Sequence, residues 1–259
     1  LGNLMNVPLK IASSHLPVSS DIKKNSRYIK THMEQAASRK ADIVHFPETA
    51  LSGYARVHFD DFSTFDWRCL DKYRNELCNL AKELGIWVVL GSSAYAELEK
   101  PTNCIHVISD TGEIAGTYHK QRLYSREKEF YSPGNEPLTL TIKGVKCGFL
   151  ICYDSCYPDL YSGYRMQDVQ VIFQSFYNAN NKIQKTDLNE LAVAQLRTRA
   201  ADNQFWISGS NSSEEYSGFP SSIIRPDGTL RQSTRHKTEI IVEDFSQTQL
   251  GWMYDNREI

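Results

Sequence analysis

The chain has 259 residues, 41% of them hydrophobic and 23% charged, which excludes a disordered or low-complexity chain. Twenty-nine basic residues against thirty-one acidic ones leave a net charge of −2 and no basic stretch, so no nucleic-acid footprint is visible. No apolar run approaches the roughly 18 residues of a membrane helix, and residues 1–6 lack the basic start and apolar stretch of a secretory signal; the expectation is a cytoplasmic protein that meets no membrane.

Residues 9–14 read as a first strand. Ile22, Ile29, Met33 and Ala36 recur at helical spacing, and 42–46 is a short apolar strand. Leu70, Tyr73, Leu77, Leu80 and Leu84 make a second helical stripe, closed by Gly85. Strands follow at 86–95 and 103–109, and a turn at Asp110, Thr111 and Gly112 leads into a strand ending near Tyr118. Residues 138–142 and 145–151 flank Lys143 and Gly144, a hairpin pattern, and 169–173 is one more buried strand. Asp187 with Glu190 resembles a capping box for a long helix toward Asn203. Strands at 205–209, 221–225 and 239–242 complete the chain, with a turn at Pro226, Asp227 and Gly228. Helices interleaved with about ten strands, and no linker or repeat, predict an α/β layered fold in one domain spanning residues 1–259.

The six cysteines (69, 78, 104, 147, 152 and 156) form no C-x-x-C pair, and none joins a histidine at zinc-finger spacing. They read as reduced thiols, most of them small buried hydrophobes, with no metal site and no cofactor implied.

Three segments are unusual. At Phe46, Pro47 and Glu48 an apolar strand stops at a proline and sets a carboxylate just past its end, where α/β proteins tend to build sites. After Tyr118 and His119 a strand runs out into Lys120 and then a charged loop. Residues 148–151 end in Cys152, followed by Tyr153 and Asp154, which has the mechanics of a nucleophile elbow. Each alone is equally a surface carboxylate, a solvated lysine or a buried strand cysteine.

In this order they match a known pattern. Pro47, Glu48, Leu51, Gly53 and Tyr54, then Tyr118, Lys120 and Leu123, then Cys152, Tyr153 and Asp154 before Tyr157 and Pro158, resemble the nitrilase superfamily of carbon–nitrogen hydrolases. Arg197, Arg199, Ala200 and Asn203 resemble its late helix, and residues 222–228 its late strand-turn-strand, so the likeness runs from about residue 9 to about 243.

The resemblance implies a four-layer α-β-β-α sandwich that forms homodimers or higher homo-oligomers. It implies Cys152 as nucleophile, Glu48 as general base and Lys120, with the Tyr153 N–H, as oxyanion partner. Glu127 corresponds to a second family glutamate by its distance to Pro133 and Gly134; Glu129 is the alternative. The expected substrate is a small non-peptide amide or N-carbamoyl compound, with Tyr54, Tyr153, Asp154, Phe176, Tyr177 and Asn178 around it. The aromatic members of that set read equally as core. Nitrile hydrolysis, acyl transfer, a binding protein that has kept the fold, and a Cys–His hydrolase on His119 or His45 are the competing readings. The chain departs from the family where Ser155 and Cys156 follow the nucleophile in place of an arginine, at Asp159 for Glu, at His15 for Gln, and after Phe173. These departures point to a specialised substrate.

Overall fold

The computed structural model describes residues 9–95, 99–179 and 187–246. Its elements in chain order are β1 (Leu9–Leu16), α1 (Ile22–Ser38), β2 (Ile43–His45), α2 (Trp67–Leu84), β3 (Trp87–Ala94), β4 (Thr102–Ile108) and β5 (Ile114–His119). They continue with β6 (Thr139–Ile142), β7 (Val145–Ile151), α3 (Pro158–Arg165), β8 (Val171–Ser175), α4 (Asp187–Asn203), β9 (Trp206–Ser212), β10 (Ser222–Ile224), β11 (Leu230–Gln232) and β12 (Glu239–Phe245). Short 3-10 turns at Glu127–Glu129 and Cys152–Cys156 complete the set.

The twelve strands split into two halves. In the first the order is β5-β4-β3-β2-β1, with β12 antiparallel to β1 along residues 9–15. In the second it is β6-β7-β8-β9-β10-β11. Among the described residues the halves share a strand ladder only where His15 and Leu16 of β1 meet Asn211 and Ser212 of β9. From β7 through β8, β9 and β1 to β2 every pairing is parallel, so those five strands end at one edge.

Alternation of side chains across a strand explains the layers. Along β2 and β3, Val44, Val88 and Leu90 face Ile29, Met33 and Ala36 of α1 and Leu70, Leu77 and Ala81 of α2. Ile43 and Val89 point the other way, into a core shared with Phe149, Phe173 and Ile207 of the second half. That core continues to Tyr161 and Tyr164 of α3 and to Leu196 and Ala200 of α4. The stacking is helix, sheet, sheet, helix.

Local chemistry sets the ends. Asp21 and Asp66 cap α1 and α2 by accepting from Lys24 N and Cys69 N, and Gly85 closes α2 in the left-handed region at φ 62°. Lys143 and Gly144, both at positive φ, make the expected hairpin turn. The sequence reading stretched β2 by one residue at each end, and it gave no range to α3 or β11. α3 begins with Pro158 in its first turn and buries Tyr161 and Tyr164 three residues apart, a pattern too short to stand out. α4 begins at Asp187; the capping role expected of that side chain lies outside the described residues.

A polar seam runs between the sheets. His45 Nδ1 lies 3.0 Å from Ser208 Oγ and Nε2 lies 2.9 Å from Ser175 Oγ, whose hydroxyl donates to the Phe46 carbonyl. Ser210 Oγ and Ser221 Oγ both donate to the Ser14 carbonyl at 2.7 Å. Burial holds the His45 imidazole neutral, its pKa pulled down to about 3.

Two expectations follow. Gly91 of β3 stands so close to the chain after β2 that a Cβ there would lie 2.0 Å from the Pro47 carbonyl oxygen. Gly91→Ala is expected to lower the urea midpoint by the equivalent of about 1–3 kcal/mol. The second concerns acid. His45 binds a proton readily only when unfolded, so its contribution to stability is intact above pH ~6.5 and falls progressively toward about pH 3. The loss runs at up to about 1.4 kcal/mol per pH unit. Thermal midpoints between pH 7 and 4 are expected to fall less steeply in His45→Gln than in the natural sequence.

Candidate active site

Each of the three unusual segments ends at the same place. Past β2 the chain makes a tight loop: Ala50 N donates to Pro47 O, Gly53 N to Thr49 O and Leu51 N to Gly91 O. Thr49 takes φ 51°, an uncommon conformation for a β-branched residue. The loop carries Glu48 inward, fully buried, with its own N–H donated to Phe176 O. Lys120 follows β5 and is pinned on both sides, its N–H bonded to Asn103 O and its carbonyl accepting from Gly134 N. Cys152 leaves β7 with φ 43°, the strained strand-to-helix junction that presents a side chain outward.

The Lys120 ammonium is completely buried and lies 2.8 Å from Glu48 Oε1 and 2.7 Å from Glu127 Oε1. Glu127 Oε1 also accepts from Tyr54 OH at 2.5 Å, and its Oε2 from Tyr124 N at 3.1 Å. Glu48 Oε2 accepts from Tyr177 N at 2.8 Å. Between Glu127 and Glu129 the structure is decisive: Glu127 is inside this cluster and Glu129 is exposed.

Asn103 is the member that sequence reasoning missed. It lies in β4 beside Lys120 and donates Nδ2 to Glu48 Oε1 at 2.7 Å. Its signal was a lone amide in an apolar strand, which Asn rarely joins without a hydrogen-bonding reason.

The charges decide the protonation states. Burial raises the Glu48 pKa, against the pull of the Lys120 ammonium. Burial works against the charge on Lys120 too, but Glu48 and Glu127 outweigh it and hold the ammonium well above its usual range. Burial, then the Glu48 carboxylate, push the Cys152 thiol well above its ordinary value, and Lys120 only partly opposes them. One ammonium faces two carboxylates, so the site holds a thiol at rest rather than a preformed thiolate.

The residues expected around a substrate divide. Tyr54 touches Glu127, and its ring stacks on Tyr177 at 5.3 Å. Tyr153 is half-buried, edge-on to Tyr124 and Tyr157. Asp154 has another occupation: its carboxylate accepts from Tyr118 OH, Ile151 N and Arg122 N, tying the end of β5 to the nucleophile turn. Burial lifts its pKa to about 6 despite those bonds. Phe176 packs edge-on to Phe219 in the core, and Asn178 Oδ1 accepts from Asn211, Ser217 and Gly218. All three thus have protein partners that hold them in place: the Asp154 carboxylate, the Phe176 ring and the Asn178 carbonyl oxygen. Both nitrogens of His45 are engaged by serines and His119 Nδ1 by Thr102 Oγ1, so neither imidazole is bonded to Cys152. Among the described residues no three of His, Cys, Asp and Glu are grouped to hold a metal.

Comparison with known proteins agrees with this geometry. Residues 10–251 match the carbon–nitrogen hydrolase family. The chain is 29% identical over 220 residues to a 2-oxoglutaramate amidase of Bacillus subtilis, covering 82% of this chain and 79% of that protein. It is 22% identical over 257 residues to an omega-amidase of Homo sapiens, covering 93% and 90%. In three dimensions it superimposes on an amidase from Nesterenkonia sp. with a TM-score of 0.82 at 20% identity, over 99% of this chain and 96% of that one. A mutant of the Nesterenkonia sp. AN1 amidase, carrying the acetamide moiety of fluoroacetamide covalently on its active-site cysteine, gives 0.81 at 21% identity, over 96% and 94%. With a match across nearly its whole length, and a fold shared with these structures, the chain belongs to the carbon–nitrogen hydrolase family.

Proposed function

We propose that the chain hydrolyses a small non-peptide amide or N-carbamoyl compound through an acyl-enzyme on Cys152. The observation that carries this reading is the buried Lys120 ammonium held between Glu48 and Glu127 beside a cysteine on a strained turn. The amidase names of the relatives favour amides over nitriles.

Because the thiol is protonated at rest, attack needs a base at the moment of bond formation. Glu48 takes the Sγ proton as sulfur adds to the carbonyl carbon, so the buried cluster keeps a constant net charge. The carbonyl oxygen becomes an oxyanion, stabilised by Lys120 and by the Tyr153 N–H, which belongs to the first turn of a 3-10 helix and has no acceptor within it. Collapse breaks the C–N bond, and Glu48 returns its proton to the departing ammonia or amine. A water, deprotonated by Glu48, then adds to the thioester; the acid leaves and the thiol is restored. Glu127 and Asn103 hold Lys120 and Glu48 in register throughout, and Tyr54 holds Glu127.

We read the chain as one catalytic domain working as a homodimer or higher homo-oligomer in the cytoplasm. Met166 and Leu191 support the assembly, since both are exposed at the outer α3–α4 layer. No helix among the described residues is long and apolar enough to cross a membrane.

The test is ammonia release from a panel of amides, N-carbamoyl amines and nitriles. Release is expected from the natural sequence and none from Cys152→Ala. Glu48→Gln is expected to lose at least about 1000-fold in kcat while still folding, with a lowered thermal midpoint from the lost buried ion pair. Turnover surviving in a folded Glu48→Gln protein would remove it as the base. Added amines that divert the product to a new amide would mark an acyltransferase instead. The protonated thiol gives a separate expectation: the 240 nm difference absorbance between the natural sequence and Cys152→Ala stays flat through pH 8. A step near pH 5 or 6 would mean a preformed thiolate.

A further inference from the structure

The parallel strands place more than the nucleophile at their shared edge. Following the pairing order from β7 to β1, the first residues past the strand ends are Cys152, then Phe176 and Tyr177, then Ser213 and Glu214, then Pro17 and Val18. Beyond Tyr177 along that edge lies a recess of about 400 Å³ that the mechanism does not use. We propose that this recess, walled by Ser19, His58, Tyr177, Glu214 and Glu215, is a substrate subsite for a positively charged amino end. The inference rests on the amide-hydrolase reading and narrows it to ω-amino amides or their N-carbamoyl counterparts.

Tyr177 stands between the recess and the reacting groups. Its backbone N–H holds Glu48 at 2.8 Å and its ring stacks on Tyr54, while its hydroxyl sits 3.2 Å from His58 Nε2 at the recess wall. His58 does not neutralise the pair of carboxylates. Its Nδ1 accepts from Tyr54 N–H at 2.9 Å, which requires a neutral ring with its hydrogen on Nε2, 3.6 Å from Glu214 Oε1. The Tyr177 hydroxyl and His58 Nε2 both face the Glu214 carboxylate, whose Oε2 is buried and makes no close hydrogen bond among the described residues, so it can accept from a donor on a ligand. Among the described residues the wall carries two carboxylates and neither lysine nor arginine.

Length and charge then agree. β7 and β9 are two strand spacings apart, about 10 Å, which a short aliphatic chain spans between a carbonyl at Cys152 and an ammonium at Glu214. The chain also has Ser155 and Cys156, not an arginine, just after the nucleophile, so that stretch supplies no cation for a substrate carboxylate.

The experiment has two arms. Isothermal titration of the natural protein with 1-aminopentane at pH 7, beside pentanoate and 1-pentanol, is expected to show binding of the ammonium alone, weakened about tenfold in Glu214→Gln. Steady-state kinetics with 6-aminohexanamide, hexanamide and the monoamide of adipic acid are expected to rank them in that order by kcat/KM. The ammonium-to-neutral ratio is expected to fall about tenfold in Glu214→Gln, chiefly through KM. Binding that Glu214→Gln leaves unchanged, or equal binding of pentanoate, overturns the subsite. So does Cys152-dependent hydrolysis of hexanamide and the adipic monoamide at rates equal to the amino amide, and in that case the hydrolase reading stands. Glu214-dependent ammonium binding without turnover of any amide supports the subsite and overturns the hydrolase reading.

Discussion

A single ammonium, that of Lys120, organises this molecule's chemistry. It is fully buried, and a buried charge persists only when paired and hydrogen-bonded. Its two carboxylates arrive from different places, Glu48 from the loop after β2 and Glu127 from a 3-10 turn beyond β5. Each of those then needs partners of its own, which Tyr54, Asn103, the Tyr124 N–H and the Tyr177 N–H supply. The loops around the site are therefore fixed by the requirement to satisfy one cation, and the cysteine is activated within a field that this requirement has already set.

That field also explains why the nucleophile waits. A site with a surplus of cations would release the thiol proton early and expose a thiolate to any electrophile. Here two carboxylates face one ammonium, and in the proposed reaction the proton leaves sulfur only as the substrate carbonyl accepts the electron pair. Selectivity for the reaction is thus a property of the charge balance as well as of the pocket's shape.

Much of this was legible in the sequence because it depends on residue order. Strand periodicity, Gly85 and the Lys143–Gly144 turn each follow from local chemistry. Glu48, Lys120 and Cys152 each follow the end of a strand, and it was their order along the chain, resembling a known family pattern, that made them readable as a candidate set. What could not be read was which polar groups meet across the two sheets. Asp154 reads as a pocket residue two positions past the nucleophile, but two of its partners, Tyr118 and Arg122, lie more than thirty residues earlier. Asn103 gave only a weak signal, since its amide has meaning only once Glu48 stands opposite. The need for a glycine at 91 appears only when the Pro47 carbonyl is seen against it.

The two sheets share one hydrogen-bonded corner, the two-residue ladder of β1 with β9. Elsewhere they are held by apolar contact and by the His45 and serine seam. The sandwich is built like a book with a short spine, and its reactive groups are printed on facing pages: Glu48 and Lys120 on one, Cys152 on the other. A slight parting of the covers would separate nucleophile from base while every helix and strand stayed intact. Catalytic competence is therefore a more sensitive gauge of how the halves close than any spectroscopic measure of secondary structure.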